Sequence, residues 1–290
     1  MEDFKQEKYK NIMVFILIFL FLELFLFISF KFFKKKCKWL ISSKDEYPNF
    51  DVAALKKFYN SSFDSKLGWV RKPNTSGKDK GFNKDIIFNI DRFGSRKSIF
   101  DPSTAKIVSF GDSYVFCRQV EDCDTWQNKI SKKLGFSVLN YGVGNYGIDQ
   151  AVLRFEDSYI PESCKYAILG FVPETICRIQ SYWKHYLEFG NTFAFKPKFK
   201  ISEDSLILEE QYIDNFEKYK DIKKDIKIIR NRDRFYRSRF LKNKFHFPYT
   251  YSFIKNLDFN ISVFALLFKD LFISDKDLNN KLFDIVMKRN

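Results

Sequence analysis

Two histidines and five cysteines are all that this 290-residue chain holds of the residue types that most often bind metals or cross-link a fold. The cysteines, Cys37, Cys117, Cys123, Cys164 and Cys177, have no metal-like spacing and are odd in number, so no disulfide framework is implied. Cys117 and Cys123 are near enough in sequence to pair across a loop, but isolated thiols are the expected state. Neither a metal nor a cofactor is expected. Acidic residues are also outnumbered: 36 Asp and Glu stand against 50 Lys and Arg, a net charge of +14. Such an excess suits a nucleic-acid or anionic-membrane partner. No nucleic-acid motif accompanies it, and the charge is spread along the chain, which reads as background composition. What is plentiful is core material: 45% of residues are hydrophobic and 19% aromatic, which excludes a disordered chain and suffices for one medium domain plus an anchor.

Residues 12–30 form an almost unbroken apolar run, about 28 Å long if helical, close to the thickness of a bilayer core. Only Glu23 interrupts it among charged residues. Sixteen Ile, Leu, Phe and Val contribute about −5 kcal/mol to insertion and one central acid costs about +3, so insertion wins. Glu23 is expected to do nothing there beyond protonating or snorkelling, an intramembrane contact being the other reading. Lysines follow where a cleavable signal would have small residues, so the segment is an anchor and the protein single-pass. Five lysines after the run outnumber three before it, which by the positive-inside rule turns the main domain toward the cytoplasm.

Residues 106–150 carry the functional signal. Ile107-Val108-Ser109-Phe110 is a short β-forming run ending at the turn triplet Gly111-Asp112-Ser113. Asp124 or Thr125 can cap a helix through Trp126, Ile130 and Leu134, with Gly135 as its stop. Ser137-Val138-Leu139 gives a second strand, followed by a glycine-rich loop, 140–147, and a helical pattern from Ile148 to Ser158. Two βα units in succession imply a parallel sheet, with Ser113 and the loop at its carboxyl edge, where such sheets bind ligands. A third strand is expected at residues 167–171.

Phe110-Gly111-Asp112-Ser113, Val120-Glu121-Asp122 with Thr125-Trp126, and Asn140-Tyr141-Gly142-Val143 with Tyr146-Gly147 and Asp149-Gln150 resemble, in order, the blocks of the SGNH or GDSL hydrolases. Leu67-Gly68-Trp69, Lys72-Pro73-Asn74 and Phe195-Lys196-Pro197 are similar to the membrane-anchored branch of that family. The resemblance implies a flavodoxin-like α/β parallel sheet and an esterase acting on acyl groups of a glycan or lipid. It also implies Ser113 as nucleophile, with the backbone N–H groups of Ser113 and Asn145 as oxyanion donors. By the same likeness the main domain faces outward, against the lysine count, and the side of the membrane stays open.

Several family positions differ. Cys117 and Asn145 stand where the family has glycines, and asparagine tolerates the left-handed conformation better than most residues. Pro173-Glu174-Thr175 stands where the family's oxyanion asparagine is expected. The family's Asp-x-x-His block after a last strand is missing: Tyr182 and Asn243 lie three residues before His185 and His246. The sheet therefore reads as incomplete, with no assigned base. A non-catalytic binding protein, or a piece of a longer enzyme, remains the alternative to an active hydrolase.

The organisation expected is an anchor with basic flank (1–40), a lead-in segment (41–105), the βα core (106–190) and a hairpin plus helical region (191–290). In the last of these, Glu203-Asp204-Ser205 is the expected hairpin turn over the active-site edge. The basic residues from Glu217 to Lys244 are read as a solvated or membrane-facing helical face in preference to a phosphate-polymer groove, which is the other reading. Ser274 is expected to cap the final helix, with Asp277 three residues on.

Overall fold

The computed structural model describes residues 2–37, 39–81 and 84–287. The chain is mixed α/β and divides into two compact units, residues 49–235 and residues 1–48 with 236–290.

At the centre of the first unit lies a three-stranded parallel sheet. Ile107–Phe110 is the middle strand, paired on one side with Val138–Asn140 and on the other with Tyr166–Leu169. Registers run Ile107 to Val138 and Ile107 to Tyr166, so all three carboxyl ends fall on one edge. Ala105, Val108, Phe110, Leu139, Tyr141 and Ala151 form the core beneath the sheet. The alternating and continuous apolar runs of these strands supply that core directly, which is why their positions were readable in sequence. The third strand is less enclosed than its apolar sequence implies: Tyr166, Ile168 and Leu169 are exposed on an edge strand.

Helix Trp126–Leu134 follows the middle strand, with the Thr125 hydroxyl accepting from Asn128 N and Gly135 in the left-handed region as its stop. Thr125, rather than Asp124, is the cap. Helix Ile148–Asp157 follows the second strand. Ahead of the sheet, Ser76–Lys80 and Asp85–Asn89 make an antiparallel hairpin, and Ile86, Phe88 and Ile90 pack against Phe116. Lys198–Ser202 and Ser205–Glu209 make a second, largely exposed hairpin around the left-handed Glu203.

In the second unit, helix Glu2–Lys34 runs beyond the apolar segment at both ends. Its stretch Gln6–Lys34 is long and apolar enough to cross a membrane and is largely unburied. Glu23 is not idle. It is buried and accepts from Tyr249 N at 2.6 Å, Thr250 N at 2.9 Å and the Thr250 hydroxyl, capping helix Tyr249–Ile254. Phe33 meets Phe264 and Phe268 of helix Leu257–Phe272 edge-on, with centroids 5.8 and 4.7 Å away. The final helix begins at Leu278, later than a Ser274 cap requires. Asp275 organises that turn instead, its carboxylate accepting from Asp277 N and its carbonyl from Leu278 N.

Candidate functional site

Ser113 is the first residue of a one-turn helix, Ser113–Phe116, and lies just past the carboxyl end of the middle strand. Asp112 caps that turn, its Oδ1 accepting from Tyr114 N at 2.9 Å. The turn is tight because its backbone crowds its neighbours. A Cβ on Gly111 would lie 2.4 Å from the Gly170 carbonyl oxygen, and one on Gly142 would lie 2.3 Å from Phe116 N. Only glycine fits at either place, so Gly142 brings the second loop onto the serine turn and Gly111 brings that turn against the end of the third strand. A Cβ built on Gly144 would stand 4.0 Å from that of Ser113, which puts the 144–145 loop against the serine.

Two non-glycine residues of these loops keep a glycine-like backbone. Asn145 has φ 72° and Cys117 has φ 58°. Burial pushes the Cys117 thiol up, so it is a poor nucleophile beside the serine. Among the described residues, the backbone N–H groups of Ser113 and Asn145 donate no hydrogen bond, and no side chain bonds the Ser113 hydroxyl. Two free amides and a free hydroxyl thus lie on adjoining loops at the sheet edge.

A buried ionic network holds this loop from behind. Lys184 Nζ donates to the Asn145 carbonyl at 3.2 Å and Arg178 Nη1 to the Tyr146 carbonyl at 3.0 Å. Arg178 also pairs with Glu188 at 3.0 Å and stands 3.6 Å from Asp112 Oδ2, while Lys184 reaches Glu188 at 3.1 Å. Burial pushes the Lys184 ammonium down to about 7, against the pull of Glu188. Burial acting alone would raise Glu188, but the Lys184 and Arg178 charges outweigh it and hold its carboxyl below the usual range. Two acids and two bases close on one another, and both cations spend a donor on orienting the backbone of residues 145 and 146.

The scattered sequence blocks converge on the same loop. Trp69 Nε1 donates to the Gly144 carbonyl at 3.0 Å, the Tyr146 hydroxyl donates to the Trp69 carbonyl at 2.5 Å, and Gln150 Nε2 donates to the Leu67 carbonyl at 2.7 Å. Lys196 forms a buried ion pair with Asp149. Gly68, at φ 89°, lies so close to the Phe195 carbonyl that a Cβ would stand 2.1 Å from its oxygen.

Other expected participants are elsewhere. The Thr175 hydroxyl is spent on the Val172 carbonyl at 2.6 Å and Glu174 is exposed, so neither supplies an amide-like donor. His185 is buried among Trp183, Tyr186 and Phe189, and its Nδ1 accepts from Gly190 N at 3.3 Å. His246 belongs to the other compact unit, its Nδ1 against the Phe247 carbonyl at 2.9 Å. Sequence reasoning missed Arg178, Lys184 and Glu188 altogether; the only available signal was charge in an otherwise aromatic segment. No family model, curated protein or solved structure matches the chain.

Proposed function

We propose that the chain is a membrane-anchored serine hydrolase of the SGNH or GDSL type, acting on acyl esters of a glycan or lipid. The observation that carries this reading is the loop of Gly144 and Asn145 packed against Ser113, whose hydroxyl and N–H, like the Asn145 N–H, make no hydrogen bond among the described residues. In the reaction, Ser113 Oγ attacks the acyl carbonyl carbon, its proton passes through solvent water to the departing alcohol oxygen, and the carbonyl oxygen takes up the negative charge, for which the Ser113 and Asn145 amides are the candidate donors. Collapse of that intermediate expels the alcohol, and water then releases the acyl group from the serine. The strand order, second strand beside the first and third on the far side, supports a flavodoxin-like sheet. Helix Gln6–Lys34 supports a single membrane span.

A second reading, a non-catalytic binding protein on the same sheet, is favoured by one observation. No described side chain bonds the Ser113 hydroxyl, so the general-base contribution of roughly 10²- to 10⁴-fold is not in place. Weak turnover is therefore the expected result for the full chain, purified in nonionic detergent, with a short acyl ester. Loss of that turnover in Ser113→Ala supports the hydrolase. Equal residual rates in both proteins hand the site to the binding reading. Retention of the protein on membranes through an alkaline wash tests the anchor separately, and release by that wash refutes it.

A further inference from the structure

Beside the 144–145 loop opens a cleft of about 200 Å³, lined by Phe58, Trp69, Arg71, Arg118, Gly144 and Asn145 among others. Gly144 joins it to Ser113, through the 4.0 Å approach of their Cβ positions. Arg71 is the unusual member. Its guanidinium lies over the rings of Phe88 and Phe116, 4.6 and 5.1 Å from their centroids, and among the described residues it makes no hydrogen bond and no ion pair. The contrast with its neighbours is instructive. Arg96, stacked on the same Phe116 ring, uses its donors on Asp122 and three backbone carbonyls. Arg118, on the cleft wall, is held by Asp79 at 2.6 Å. Asp79 is the carboxylate whose field reaches Arg71, and it is already engaged by Arg118.

A guanidinium fixed on two aromatic faces keeps a planar fork of N–H donors at little further entropic cost, and that fork matches a carboxylate or phosphate. Burial disfavours its charge and Asp79 only partly offsets this, so an incoming anion gains more here than at a solvated arginine. With Arg71, Arg118 and Asp79 together, the cleft keeps one net positive charge.

We infer that this cleft binds an oxyanion, a carboxylate or phosphate carried by the substrate, with Arg71 as its principal ligand and Arg118 as its outer wall. The inference rests on the proposed function only for what the anion is attached to: an acyl ester with an anionic group within one cleft's length of the scissile carbonyl. Arg71 then decides specificity, favouring anionic over neutral esters.

Trp69 lines the same cleft, so tryptophan fluorescence of the full chain in nonionic detergent reads binding without any need for turnover. Inorganic phosphate and succinate are the probes, titrated at constant ionic strength held with chloride. Saturable binding of phosphate or succinate is expected, and whichever binds tighter identifies the anion class. Arg71→Met should weaken it by about tenfold or more, Arg71→Lys less, and the exposed Arg118→Gln by a few fold. Ser113→Ala should bind as the parent does, which separates this test from the hydrolase assay. No saturable signal in the parent protein, or equal affinity in the parent and in folded Arg71 and Arg118 variants, overturns the inference. If the Arg71→Met protein does not fold, Arg71→Lys and Arg118→Gln decide alone.

Discussion

Replacing Arg96 by methionine tests how the segment behind Ser113 is held. The Arg96 side chain is almost wholly buried, and it spends Nε on Asp122 Oδ1 at 2.7 Å, Nη1 on the Phe116 and Cys117 carbonyls at 2.6 and 2.9 Å, and Nη2 on the Val120 carbonyl at 2.6 Å. These acceptors span the stretch that follows the serine turn. Methionine keeps much of the packing on Phe116 but removes every donor. Breaking a buried ion pair from one side costs roughly 3–5 kcal/mol, because the remaining charge stays desolvated. Asp122 is partly relieved by Asn89, whose backbone and side-chain N–H groups reach it at 3.1 and 2.8 Å. The abandoned carbonyls add to the loss, at about 1 kcal/mol or more each where water does not reach. With the Asn89 relief set against these terms, a total of at least about 4 kcal/mol is expected, a large share of the roughly 5–15 kcal/mol that domains of this kind possess. Arg96→Lys, which still offers charge but no fork, should lose about half as much. Urea unfolding followed by tryptophan fluorescence gives the values, and the cycle with Asp122→Asn isolates the pair. A loss below about 1 kcal/mol for Arg96→Met would refute the reasoning, since it would mean that these contacts are replaced by water at no cost.

The left-handed Cys117 makes a second prediction: relief of about 1–2 kcal/mol of strain in Cys117→Gly is offset by about 0.5–1 kcal/mol of unfolded-chain entropy and by lost side-chain contacts, so stability should change by less than about 1 kcal/mol. Cys117→Val should be clearly less stable than Cys117→Gly by urea unfolding, and equality of the two would remove the backbone argument. Lys184 predicts a pH dependence. Its folded pKa, about 7, lies below the ordinary 10.5, so between these values the unfolded chain binds the extra proton and stability rises with pH. That contribution is fully present above 10.5 and lost as pH falls through 7. The urea midpoint should climb from pH 7 to 9 in the parent protein, and the slope should flatten in Lys184→Met; an unchanged slope would show that another group is responsible. The Glu23 carboxylate caps helix Tyr249–Ile254, so Glu23→Ala should loosen that helix, seen as faster amide exchange at Tyr249 and Thr250, whereas unchanged exchange would return Glu23 to an idle role.

Local physics reached a good part of this molecule from sequence alone. Short β-forming runs closed by turn residues located the three parallel strands, because a strand with a buried face must be apolar where it is buried. Thr125, Gly135 and the left-handed tolerance of Asn145 were equally local matters of caps and backbone angles. The apolar run that becomes helix Glu2–Lys34 needed only a count of residues. What the sequence left dark was every contact whose acceptor is a backbone carbonyl or whose partners lie far apart in the chain. Arg96, in the lead-in segment, is a clamp because the fold carries residues 116–122 past it. Lys184 and Arg178 matter because the carbonyls of Asn145 and Tyr146 arrive beside them, and a carbonyl is the same at every residue. Arg71 makes no ion pair among the described residues, while tertiary packing gives the nearby Asp79 to Arg118. Periodicity and turn chemistry are written in neighbouring residues; which buried charges meet, and which one is left over, is decided by the path of the chain in three dimensions.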